Sequence, residues 1–261
     1  MPRFKLTLEY AGTRYSGWQI QKNARTVQGE LDRAVRTVTQ REKFELYGAG
    51  RTDAGVHALA QVAHLDIATT LPPATLRARL NDELPADINI LRIDVVSHRF
   101  HARHSAVSRS YVYQIARRRT AFAKPLVWWV KDPLDTSAMR GAAMLMTGLQ
   151  NFVSFTDDDP EAKSTKVLVD TIDVIERGDL ILVRIVGSHF LWKMVRRIVG
   201  VLAGVGRGEL TSADVRSFLT KHSPVPARLT APSSGLLLER VQYEDDPPLA
   251  PVDPPLHLTA W

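Results

Sequence analysis

The sequence predicts an α+β fold made of two ferredoxin-like halves, each running β-α-β-β-α-β, with mainly antiparallel sheets. Three observations lead there. The apolar residues alternate with period two in short runs and with helical spacing between them, and this order occurs twice along the chain. The balance of 44% hydrophobic and 24% charged residues in 261 is that of a globular chain with a full core. No apolar run approaches the roughly 20 residues needed to cross a bilayer, so no membrane span is expected.

In the first half, Phe4, Leu6, Leu8 and Tyr10 alternate with Lys5, Thr7 and Glu9, a half-buried strand. A polar, glycine-containing loop with Tyr15-Ser-Gly-Trp18 follows. Thr26 then caps a helix whose apolar face is Val27, Leu31, Ala34, Val35 and Val38. Strand-like runs near Phe44–Tyr47 and Gln61–Ile67 flank the loop Gly50–His57. Pro72-Pro73 opens a second helix with Leu76, Leu80 and Leu84, and Ile88–Val96 reads as a strand.

The second half repeats the order. Tyr111, Tyr113 and Ile115 alternate on a strand, and a helix over Met139–Leu149 follows. Leu168–Glu176 and Leu180–Val186 form a hairpin turning at Gly178. A long helix starts near Phe190, Thr211-Ser-Ala-Asp214 is a capping box for another, and Leu236–Tyr243 closes as a strand. The expected divisions are residues 1–105, 106–246 and a Pro-rich tail 247–261 ending in Trp261. Two such sheets side by side would flank a basic cleft.

The charge points to the partner. Net charge is +6 and the pI 9.7, which favours a polyanion without specifying one. The chain has no cysteine, which excludes disulfides, thiol catalysis and thiolate metal sites and fits a cytoplasmic setting. His98, His101 and His104 recur every third residue, but the intervening Arg99 and Arg103 would repel a cation, so no metal is expected there. Asp157-Asp-Asp159 lacks the spacing of a calcium loop and reads as solvated.

Gly48-Ala-Gly-Arg-Thr-Asp-Ala-Gly-Val-His57 is the segment richest in chemistry. Its glycines indicate unusual backbone or close approach of a ligand, and Arg51 and Asp53, two apart, project to one side if the loop is extended. A simple Asx-turn is the alternative. Arg99, Arg103, Arg109, Arg117, Arg118, Arg119 and Lys124 surround Tyr111 and Tyr113, cations for phosphates beside rings for bases, although either tyrosine is equally a core residue. On the helix after Phe190, Arg196 and Arg197 need partners if buried.

Six ordered segments together resemble the tRNA pseudouridine synthases of the TruA type. They are Glu9–Gln19, Thr26-Val-Gln28, Gly50–His57, Ser108-Arg-Ser-Tyr-Val-Tyr113, Phe190–Gly200, and Ala231–Leu236 running into Val241-Gln-Tyr243. The resemblance implies that Asp53 is the catalytic aspartate. It further implies that Tyr111 lies against the target uracil, that Arg196 pairs with the aspartate, and that Arg51 helps displace the base. Arg109, Arg117 and Arg118 are the expected further RNA contacts. A homodimer, no organic cofactor and no metal are implied, with action at positions 38, 39 and 40 of the tRNA anticodon arm. Lys193 and Arg197 depart from the family pattern, histidine and asparagine being frequent around these positions, and Thr156 stands where a basic residue is common.

The chemistry is consistent with those residues. Uridine becomes pseudouridine by breaking N1–C1′, turning the base and joining C5 to C1′, with no atom gained or lost. A carboxylate that attacks or deprotonates the nucleotide suffices. A non-catalytic RNA-binding protein or chaperone is the alternative reading, and it leaves the Arg51–Asp53 loop unexplained.

Overall fold

A computed structural model describes residues 1–255. In chain order the strands and helices are β1 (Arg3–Tyr10), α1 (Val27–Thr39), β2 (Glu45–Gly48), β3 (His57–Asp66), α2 (Pro73–Glu83), β4 (Ile88–Val96) and β5 (Ala106–Ala116). These are followed by β6 (Trp128–Trp129), α3 (Thr136–Leu145), β7 (Gly148–Asn151), β8 (Lys166–Arg177), β9 (Leu180–Gly187), α4 (Met194–Gly206), α5 (Ser212–Thr220), α6 (Val225–Arg228) and β10 (Leu236–Tyr243). The chain divides into two compact units, Met1–Val107 with Leu237–Asp246, and Ser108–Leu236 with the segment from Pro247.

The first unit has the ferredoxin-like order. β1 lies between β4 and β3, antiparallel to both, and β2 pairs antiparallel with β3. The alternation in β1 is realised in full: Phe4, Leu6, Leu8 and Tyr10 are all buried. Helix α1 begins where Thr26 Oγ1 accepts from the Gly29 amide at 3.2 Å, and it buries Leu31, Ala34 and Val35. β2 ends opposite Ala63, so residues 57–62 of β3 run on past it. On that stretch β10 pairs in parallel, Leu237 with His57 and Leu238 with Ala58.

Strand β10 falls with the first unit, whereas its place in the sequence assigns it to 106–246. Its pairing with β3 and the bond from Tyr243 Oη to the Ala102 carbonyl, 2.7 Å, hold it there. The start of the Pro-rich tail belongs to the second unit, where Val252 joins the core with Val112, Leu180 and Leu182. Arg184 Nη1 donates to the Ala250 carbonyl at 2.8 Å. Trp261 lies outside the described residues.

In the second unit the strand order is β5-β9-β8-β7, antiparallel throughout, with β6 added parallel to β5. The hairpin of β8 and β9 turns at Gly178, φ +55°. Two helix limits differ from the sequence expectation. α3 starts earlier, at Thr136, because Asp135 Oδ1 accepts from the Ser137 and Ala138 amides. It ends at Leu145, since Gly148 at φ +78° turns the chain into β7, which contains Leu149. The helix expected from Phe190 starts at Met194, because Lys193 stands at φ +62°, outside helical geometry. The capping box at Thr211 forms as expected: Thr211 Oγ1 accepts from the Asp214 amide and Asp214 Oδ2 accepts from that of Thr211.

Candidate active site

Asp53 sits in the loop between β2 and β3, half-buried, with its neighbour Thr52 buried and Arg51 exposed. The loop is held by main chain contributed by residues 10–18. The Trp18 amide donates to the Thr52 carbonyl at 3.1 Å, and the Gly55 amide to the Tyr15 carbonyl at 3.2 Å. Val56 closes the turn on the Asp53 carbonyl at 3.1 Å, with Gly55 at φ +76°, where an L side chain is strained. So close an approach dictates glycine at two positions. A Cβ on Gly17, itself at φ +91°, would lie 2.5 Å from the Thr52 carbonyl oxygen, and one on Gly12 would lie 1.9 Å from that of Val56.

A buried polar cluster pins the other side of the loop. Thr52 Oγ1 and Tyr10 Oη are hydrogen-bonded at 2.8 Å, and Gln61 Nε2 donates to Tyr10 Oη at 3.4 Å and to the Gly50 carbonyl at 3.2 Å. Burial pushes the Tyr10 phenol up to about 12, so it stays a neutral hydrogen-bonding group at physiological pH. His57 Nδ1 accepts from the Gly12 amide at 3.1 Å. Gln28 links the clamp to the sheet: its amide oxygen accepts from Ile20 N–H at 3.2 Å and its amide nitrogen donates to the Leu46 carbonyl at 3.0 Å. Tyr10, Gln61 and His57 are not singled out by sequence reasoning. Polar residues on the otherwise apolar β3 are the signal that points to Gln61 and His57, whereas Tyr10 reads as an apolar residue of β1.

In the second unit, Tyr111 lies on β5 opposite Ile185, half-buried, and meets Phe190 edge-on with ring centres 5.2 Å apart. Tyr113 on the same strand is the core member of the pair. It is fully buried and donates to the Pro232 carbonyl at 2.7 Å, and burial pushes its phenol strongly upward while the Arg196 charge opposes this. Arg109 Nη1 donates to the Ser188 carbonyl at 2.9 Å, near the Tyr111 end of β5. Arg117 and Arg118 follow the far end of β5, roughly 20 Å along the strand from Tyr111 at ~3.3 Å per residue. There Arg117 is ion-paired with Glu176, and Arg118 Nε donates to Asp179 Oδ2 at 2.6 Å.

Arg196 and Arg197 lie in the first turn of α4 and have separate environments. Arg196 Nε donates to the Ala231 carbonyl at 2.7 Å, and the Ala231 amide returns a bond to the Arg196 carbonyl at 3.1 Å. The helix can approach that segment so closely because of Gly200, where a Cβ would lie 1.7 Å from the Leu229 carbonyl oxygen. Arg197 is buried and ion-paired with Asp157, which also accepts from Lys193 Nζ at 2.7 Å. Asp158 Oδ2 accepts from the Trp192 amide at 3.1 Å. The Asp157–Asp158 loop, which composition reads as solvated, therefore pairs with the side chains of Lys193 and Arg197 and with the Trp192 amide just ahead of α4, whose N-cap residue makes no side-chain cap.

The hydrogen bond from Lys193, and with it the Arg197 ion pair, holds the Asp157 carboxyl below the usual carboxylate range. A depressed folded-state value contributes stability that is complete above the unfolded value, about 3.9. It is lost as pH falls through the folded value. We therefore expect Asp157→Asn to be less stable than wild type at neutral pH. The difference should narrow below about pH 4, and urea midpoints across a pH series measure it.

Asp53 and the segments that hold its loop belong to the first unit, and Tyr111, Arg109 and Arg196 to the second. The family model for tRNA pseudouridine synthase matches residues 7–105 and 142–244. A tRNA pseudouridine synthase A of Nitrobacter hamburgensis is 44% identical over 93% of this chain and 100% of its own, and one of Rhodopseudomonas palustris (strain BisA53) is 43% identical over 94% and 100%. Among solved structures, an archaeal box H/ACA sRNP Nop10-Cbf5 complex overlaps 87% of this chain and 58% of that one at TM-score 0.39 and 14% identity, too loose to carry weight. The chain belongs to the tRNA pseudouridine synthase family, whose chemistry is an isomerisation. Among the described residues no helix is long and apolar enough to cross a membrane.

Proposed function

We propose that the protein isomerises uridine to pseudouridine in the anticodon arm of tRNA, at positions 38, 39 and 40, with Asp53 as the nucleophile. The observation that carries this reading is the clamp on the Asp53 loop. Two glycine-dictated backbone contacts and the Tyr10–Thr52–Gln61 cluster fix the residue before the carboxylate and the turn after it. A loop serving only to connect two strands needs no such support, whereas a nucleophile must be held to a fraction of an ångström.

Tyr111 and Arg196 are proposed as substrate-binding residues. The Tyr111 ring is held edge-on by Phe190, which leaves it a fixed platform for a pyrimidine. The Arg196 guanidinium is oriented through Nε by the Ala231 carbonyl. Arg51, exposed beside Asp53, is proposed to fill the space the extruded base leaves, since unstacking costs a few kcal/mol that a substitute contact offsets. Arg109 is proposed as a phosphate contact near Tyr111. Arg117 and Arg118 would exchange Glu176 and Asp179 for phosphate, and are proposed to meet RNA remote from the reacting nucleotide. A homodimer in the cytoplasm, needing neither metal nor organic cofactor, completes the proposal.

The test is nucleoside analysis of an unmodified tRNA transcript before and after incubation with the purified protein. Pseudouridine at the anticodon-arm uridines, with RNA length and uracil content conserved, is the expected result. Pseudouridine elsewhere would refute the site. Bound but unchanged RNA would favour a passive RNA-binding role, and shortened RNA a hydrolase.

A further inference from the structure

After β5 the chain makes an excursion, residues 117–131 with β6 inside it, of which the reading above uses only Arg117 and Arg118. From Arg117 to Lys131 it carries five cations, Arg117, Arg118, Arg119, Lys124 and Lys131, and no carboxylate. Arg117 and Arg118 are ion-paired, but among the described residues no ion pair involves Arg119, Lys124 or Lys131. Embedded among them are two large exposed rings. Trp129 is 43% exposed, and Phe122 is 99% exposed. The Arg119 guanidinium lies over the Trp129 ring, 5.8 Å from its centre.

The excursion is built to hold those rings outward. β6 alternates as a strand should: Trp128 turns in to meet Tyr113 edge-on at 6.2 Å, and Trp129, paired with Ala116, turns out. Ala123 and Val127 are buried in the core cluster with Val112 and Ala116. Gln114 Nε2 donates to the Leu126 carbonyl at 2.8 Å, and the Leu126 amide to that of Ala123 at 2.8 Å. Phe122 is thus adjacent to an anchored residue and still wholly in water. A single exposed apolar residue needs no explanation. Two aromatic rings on an anchored segment, among three cations that make no ion pair among the described residues, do.

We propose that this excursion is a second RNA-binding surface, on which Trp129 and Phe122 stack unpaired bases while Arg119, Lys124 and Lys131 contact phosphates. Aromatic faces accept any base, and cations beside them follow the backbone, the combination that binds unpaired nucleotides without reading sequence. A protein partner fits less well, because interface cores are depleted in lysine. Ala116, the partner of Trp129, is five residues along β5 from Tyr111, roughly 17 Å at ~3.3 Å per residue. The nucleotides held here are therefore not the one being isomerised. The proposal rests on RNA being the substrate, and its consequence is affinity for the body of the tRNA rather than catalysis.

The experiment measures equilibrium binding of an unmodified tRNA transcript to wild type, Phe122→Ala, Trp129→Ala, Trp129→Phe and the triple variant Arg119→Gln/Lys124→Gln/Lys131→Gln, with turnover at saturating tRNA alongside. Removal of one ring should raise Kd by about five- to a hundredfold, the scale of one lost base stack. Trp129→Phe should recover most of that loss, and kcat should stay at the wild-type value throughout. The triple variant should flatten the slope of log K against log salt by about 0.7 for each phosphate contact removed. Phe122 is fully exposed, so its replacement tests the surface without disturbing the fold. Unchanged Kd in both alanine variants overturns the proposal, as does a fall in kcat at unchanged Kd. Wild type that binds tRNA but forms no pseudouridine, with the ring variants still weakened, would refute the isomerase reading and support this surface.

Discussion

Replacing Asp53 by Asn should abolish pseudouridine formation while leaving tRNA binding and stability near wild type. The substitution preserves volume and removes the charge, so it deletes the proposed nucleophile without opening a cavity. Loss of a nucleophile lowers turnover by about three orders of magnitude or more. Tritium release from tRNA labelled at C5 of uridine reads the chemistry, filter binding reads Kd, and urea unfolding reads the fold. The substitution leaves in place the bonds made to the carbonyls of Thr52 and Asp53 and to the hydroxyl of Thr52, so the loop keeps its clamp. Retained tritium release in Asp53→Asn would remove the nucleophile assignment. Loss of binding in parallel would make Asp53 an RNA contact instead.

Alanine at Gly200 should be the most damaging small substitution in α4. Its methyl group would lie 1.7 Å from the Leu229 carbonyl oxygen and 2.7 Å from its carbon, so the backbone there must move. Overpacking of this kind costs about 1–3 kcal/mol. It outweighs the roughly 1 kcal/mol by which alanine improves on glycine in a helix. The displaced segment includes Ala231, whose carbonyl orients Arg196, so turnover at saturating tRNA should fall as well. Gly141 in α3 supplies the control, since a Cβ there meets nothing within 4 Å. Gly141→Ala should raise stability by about 0.4–1 kcal/mol at full activity. Paired urea titrations of the two variants decide the matter, and equal effects at both positions would discount the contact at Gly200.

What the sequence reveals of this fold depends on how local the determinant is. The strand β1, the Thr26 cap, the Gly178 turn and the Thr211–Asp214 box are encoded within a few residues, and each stands where its pattern indicates. The two-residue β6 and the four-residue β7 are too short for a period to register. Lys193 hides the true start of α4, because apolar residues from Phe190 continue the helical spacing across a residue whose backbone is left-handed. The candidate site divides along the same line. The Gly50–His57 motif advertises itself by composition, but its support from Gly12, Gly17, Tyr10 and Gln61 arises from pairing of distant segments. Asp157 with Arg197, and Arg117 and Arg118 with Glu176 and Asp179, are likewise partners that only tertiary register brings together.

The clamp on the Asp53 loop also determines which partner has to rearrange. Amides donated from Trp18 and Gly55 tie the loop to the rest of its unit and that of Val56 closes its turn, and their exchange with solvent deuterium should be as slow as that of β1 and β3. A loop held so firmly does not swing over a bound nucleotide as a lid would. The reorganisation that precedes reaction then belongs to the nucleic acid. A stiff, fully stacked arm should be a slower substrate than one weakened by a mismatch beside the target, even though the protein reads the same nucleotide in both.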